Sequence, residues 1–157
     1  MRTALFPRRP TDAYEGHNAA LWILALIVLV ELLIGVRSIF TPEAVATAAD
    51  GIPLAAYPPA AARTVVSLFA LLGMSRLLLA LLGLLVLLSY RAFVPLTFTL
   101  LLLDALCRRL ILRFHPIPRA GGAGGWVVTL VLLGLMAAGL ALALWRRSGE
   151  PAVREGG

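Results

Sequence analysis

The sequence predicts an all-α integral membrane protein: an up-and-down four-helix bundle with a short interfacial helix after the first span. Three observations carry this prediction. Apolar runs cover residues 19–40, 64–90, 93–112 and 126–145, each close to the ~20 residues needed to cross a hydrocarbon core. The 157-residue chain is 61% hydrophobic and only 14% charged, against roughly 45–50% and about 25% in soluble domains. Its net charge of +6 comes from arginine alone, since the sequence contains no lysine. Those arginines fall mostly at the ends of apolar runs, as topology determinants and headgroup contacts do. No nucleic-acid motif accompanies them, so nucleic acid is not an expected partner. The expected surroundings are a lipid bilayer, with a second copy of the chain or another membrane protein as partner.

The first run has a signal peptide as its rival reading, because Ala46-Thr47-Ala48 resembles a cleavage site. The run is longer than the usual ~7–15 residues of such a segment, contains Glu31 and ends well before that site. A retained helix is therefore expected, preceded by a tail over residues 1–18. After it, Thr41 suits an N-cap, Pro42 the first helical position, Glu43 the positive dipole end and Gly51 a C-terminal stop. These residues predict a short helix over 42–50, lying at the membrane interface, before Tyr57-Pro58-Pro59 breaks the chain. The second and third spans are joined so briefly, with Pro95 opening the third, that they must be antiparallel neighbours. Pro116, Pro118 and four glycines make the third link irregular, and a second tail follows over residues 146–157.

Aromatic residues fit this layout, with Trp22, Tyr90 and Trp145 toward one interface and Phe40, Tyr57 and Trp126 toward the other. Arginines on the side of the termini outnumber those opposite by seven to six, and Arg108 is offset by Asp104 four residues earlier. The balance favours cytoplasmic termini.

Three charged residues fall well inside the apolar runs: Glu31, Arg76 and Asp104. A guanidinium at that depth costs roughly 2.5–3.5 kcal/mol, so it needs a partner. At 1.5 Å per residue, Glu31 and Asp104 lie roughly 13 Å and Arg76 roughly 18 Å from the same face. The expected polar cluster is Glu31, Arg76, Asp104 and Arg108. Gly73, Ala80 and Gly83 share a face with Arg76, turning it inward against a close neighbour. Glu31 shares one with Leu24, Ile27, Gly35 and Ser38, and Asp104 with Thr97, Leu100, Cys107 and Arg108. The fourth span has no ionisable residue, and offers Gly134 with Ala138, and Gly139 with Ala143, for helix packing.

Other chemistry is demoted. His17 and His115 fall on opposite membrane faces, too far apart to share a haem or a metal. Cys107 is the single cysteine, which excludes a disulfide or a CxxC pair within the chain. The glycines of residues 120–125 lack the Lys-Ser/Thr of a phosphate loop. No Ser–His–Asp arrangement is evident, and no catalytic residue, cofactor or metal is expected.

Several strings together resemble the DoxX-like group of small bacterial four-helix membrane proteins. They are Glu31-Leu32-Leu33-Ile34-Gly35-Val36-Arg37, the segment from Pro42 to Gly51, Gly73-Met74-Ser75-Arg76-Leu77, and Tyr90-Arg91 before Val94-Pro95. The resemblance covers residues 19–145 and implies a bacterial inner-membrane protein; it implies no catalytic residues. Three functional readings remain open. The first is a non-enzymatic accessory or interaction subunit, dimerising through the fourth helix. The second is a proton-coupled small transporter or channel using the Glu/Arg/Asp cluster. The third is a membrane enzyme acting on a lipid or quinone.

Overall fold

The computed structural model describes residues 16–117 and 124–145. The two predicted tails, apart from residues 16–18, and the glycine-rich part of the third link lie outside them. The described residues contain helices and no strand. Four helices are long: α1 (Asn18–Phe40), α3 (Pro59–Ser89), α4 (Val94–Phe114) and α5 (Gly124–Leu144). The short α2 (Pro42–Ala44) continues directly as a π-helical turn over Val45–Ala49.

Three of the long helices are long and apolar enough to cross a membrane: α1, α3 and the Val127–Leu144 part of α5. The fourth, α4, has the length but carries Asp104, Arg108, Arg109 and Arg113. Charge density, not length, separates it from the others.

Each boundary has a local cause. The ring Nδ1 of His17 accepts from the Ala19 amide at 3.1 Å and so caps α1. At the other end Thr41 does not cap α2, as its sequence context suggests. Its hydroxyl and its amide both donate to the Arg37 carbonyl, at 2.9 and 2.8 Å, satisfying an orphan acceptor of α1 instead. Pro42 does take the first position of α2, with Glu43 in its first turn. Gly51 ends this helical stretch with φ 67°, a conformation that costs a side-chain-bearing residue about 1 kcal/mol. Gly51→Ala is accordingly expected to lower stability by about 1 kcal/mol, read as a fall in the thermal unfolding midpoint in detergent.

The second long helix begins five residues before the predicted Thr64, at Pro59. Pro58-Pro59 is not only a break: a proline at the first helical position sacrifices no hydrogen bond and presets φ. Ala46, Ile52 and Leu54 pack under Tyr57, Val65, Val66 and Phe69, so the first connection folds onto the start of α3.

Neighbouring long helices run antiparallel. Gly35 of α1 lies against Gly73 and Leu77 of α3, and Val28 against Gly83. Phe98 of α4 lies against Gly139 of α5. The His17 amide donates to the Leu142 carbonyl at 3.3 Å, tying the start of α1 to the end of α5. The main core joins Leu24, Ile27 and Val28 of α1, Val86 of α3, Phe98 of α4 and Met136 of α5. α1 is the central helix, packed most extensively on α3 and also on α5, while α4 rests mainly on α5. α3 and α4, joined by the short turn at Tyr90, pack on each other much less than α1 does on α3. Beyond Leu101, α4 has no buried residue.

Candidate functional site

The inward face of α1 is the one its periodicity indicates: Leu24, Ile27, Glu31, Gly35 and Ser38 are all buried. On α3 the buried stripe is Gly73, Ala80, Gly83 and Val86, and Arg76 stands at its margin. A β-carbon at Gly73 would lie 2.6 Å from Ser38 Cβ and 3.0 Å from the Gly35 carbonyl oxygen. This glycine-on-glycine crossing brings the two backbones into direct contact, as in close-packed membrane helices.

The register fixes the polar contact. With Gly35 facing Gly73 and Leu77, and Val28 facing Gly83, Glu31 lies level with Ala80, about one turn from Arg76. The arginine stem spans that turn. Its Nη1 donates to Glu31 Oε2 at 3.0 Å, with the two side chains 28% and 11% exposed. The charge-assisted bond crosses between helices and couples residues 45 apart in sequence. Both residues belong to mid-helix turns, far from any helix end that could supply water.

The other two cluster residues pair elsewhere. Arg108 Nε donates to Asp104 Oδ2 at 2.8 Å, an i,i+4 bridge confined to α4, with side chains 25% and 38% exposed. Two ion pairs join described side chains, and neither links α4 to Arg76. The structure thus brings Glu31 to Arg76 and Asp104 to Arg108, as two separate pairs. The reason is the direction α4 takes. Phe98 and Leu101 turn its buried side toward the core, leaving Leu100 and Cys107 of the polar stripe exposed. Depth along a helix axis does not reveal this rotation.

The small-residue pairs of α5 divide in the same way. Gly139 and Ala143 are buried, with Gly139 beneath the Phe98 ring. Gly134 and Ala138 are exposed, and a β-carbon added at Gly134 would meet nothing within 4 Å. Trp22, Phe40, Tyr90 and Trp145 are exposed, while the side chain of Trp126 lies outside the described part. Sequence reasoning missed the capping role of His17; its place directly before the first helical residue was the available signal. It also missed a cleft between α3 and α4, whose lining includes none of Glu31, Arg76 and Asp104. Among the described residues no group of three or more His, Cys, Asp or Glu side chains is placed to hold a metal ion.

Comparison with known proteins returned no match to any protein-family model, and none to a curated protein or a solved structure.

Proposed function

We propose that this chain is a bacterial inner-membrane protein of DoxX-like architecture, a four-helix bundle with both termini in the cytoplasm. In this reading it acts as a non-enzymatic accessory subunit, associating with a second copy or a partner membrane protein through the outer face of α5. The closed, one-to-one Glu31–Arg76 bridge carries the reading. It joins the two most extensively packed helices, as a clasp that fixes their register would. The exposed Gly134 and Ala138 support the choice of α5, since small residues let a second helix approach closely. Inclusion of α4 as a span is supported by its length, roughly 31 Å at 1.5 Å per residue, and by the neutralising Asp104–Arg108 pair. Arg109 and Arg113 lie near enough to its end to extend toward headgroups.

Subunit counting by single-molecule photobleaching in liposomes tests the reading. A dimeric parent protein and a monomeric, folded Gly134→Leu variant are expected, because nothing within the chain opposes a side chain at that position. In parallel, liposomes carrying an internal pH dye are expected to show no protein-dependent proton flux. A flux abolished by Glu31→Gln would replace this reading with that of a proton-coupled transporter.

A further inference from the structure

Beside their shared turn, a cleft of about 250 Å³ lies between α3 and α4. Leu82, Leu85 and Val86 form one wall, and Leu96 and Leu100 the other. Thr97 also lines it, but its hydroxyl is committed to the Phe93 carbonyl at 3.1 Å. The lining is therefore hydrocarbon with no free polar group on the walls, a space that holds water poorly and an alkyl chain well.

The end of the cleft has a different character. Tyr90 and Phe93 close it, their rings edge to face at 6.5 Å. Tyr90 is 45% exposed, and its hydroxyl has no hydrogen-bond partner among the described residues. Arg91 follows, also exposed. Its Nε donates to the Leu87 carbonyl at 3.3 Å, and its two Nη groups have no partner among the described residues. This turn precedes the N-terminus of α4, where the helix dipole is positive. The carboxylates of the described residues lie elsewhere: Glu31 and Asp104 in mid-helix, Glu43 and Asp50 on the connection at the opposite end. An apolar slot thus leads to a phenol and to a cation that no carboxylate of the described residues neutralises, at a helix end where a membrane interface would fall.

We propose that this cleft binds an anionic phospholipid, one acyl chain lying between α3 and α4. The phosphate accepts hydrogen bonds from the Arg91 guanidinium and the Tyr90 hydroxyl. The inference requires the chain to be embedded in a bilayer; it does not depend on the accessory role or on association through α5.

Two experiments test it. In the first, Leu96→Trp is the only indole of a chain in which Trp22, Trp126 and Trp145 are Phe. The protein is placed in phosphatidylcholine vesicles containing acyl-brominated phosphatidylglycerol or acyl-brominated phosphatidylcholine. Quenching is expected at about fivefold lower mole fraction of the anionic lipid, the preference one interfacial arginine provides. Arg91→Gln is expected to abolish that preference, and Arg37→Gln, at the other end of α1, to keep it. The second experiment uses the otherwise unaltered chain: native mass spectrometry is expected to show retained phosphatidylglycerol, lost in Arg91→Gln. Equal quenching by the two headgroups, or a preference and retained lipid that survive Arg91→Gln, overturns the proposal.

Discussion

Gly73→Leu is expected to unseat α1 from α3 and lower stability by about 3 kcal/mol, the upper end of ordinary overpacking costs. The atoms it would meet explain the size. A β-carbon there comes within 3.0 Å of the Gly35 carbonyl oxygen and 3.1 Å of the Ile39 amide nitrogen, both backbone. From the other side, a β-carbon at Gly35 would lie 3.0 Å from the Leu77 nitrogen and 3.1 Å from the Gly73 carbonyl oxygen. Backbone cannot rotate aside as a side chain can, so one helix must move away from the other. Separation at this point also draws Arg76 from Glu31, which lies about one turn along the same interface. Unfolding titrated with SDS in mixed micelles measures the loss. Gly134→Leu is the matched control, since the same substitution there enters open space. Equal midpoints for the two variants would show that the close crossing does not hold the helices together.

The second large effect concerns charge. Glu31→Leu leaves Arg76 without its carboxylate in the middle of an apolar helix, and a loss of about 3 kcal/mol is expected. Arg76→Leu strands Glu31, the more buried partner at 11% exposure, and its loss is expected to be at least as large. The double variant, Glu31→Leu with Arg76→Leu, is expected to recover most of the stability, because removing both charges removes the desolvation penalty with the bond. A thermodynamic cycle over the four proteins measures this: two single losses of about 3 kcal/mol against a small loss in the double variant correspond to a coupling of about 4–5 kcal/mol. A double variant as unstable as the two single losses combined would mean that the residues act independently. Recovery of folding without any other change in behaviour is what a structural clasp requires.

Periodicity made the inward faces of α1 and α3 legible, because small and polar residues recur at three- and four-residue intervals amid leucine. The Glu31–Arg76 contact followed from depth, since the helices carrying it run antiparallel and pack along most of their length. Asp104 shows the limit of that reasoning. Its depth suits the same pair, but its direction depends on how α4 is rotated, and the large side chains Phe98 and Leu101 decide that by seeking the core. Gly134/Ala138 and Gly139/Ala143 likewise have identical spacing, and only the position of the Phe98 ring distinguishes the buried pair from the exposed one. The π-helical turn after Ala44 has no evident sequence signal. Its wider bond, from the Asp50 amide to the Val45 carbonyl at 3.2 Å, accompanies the chain's reversal into Gly51.

The central position of α1 bears on how the protein is made. Of the four long helices, the central one is made before the other three, and it carries an acid whose partner is encoded 45 residues later. At ~5–20 residues per second of translation, Glu31 precedes Arg76 by roughly 2–9 s. During that interval α1 has neither its ion-pair partner nor the glycine face of α3 to lie against. α3 can lock onto α1 as it emerges, whereas α4 rests mainly on α5, which is made after it. In a bilayer, α1 would carry Glu31 without its partner until the middle of α3 has been made.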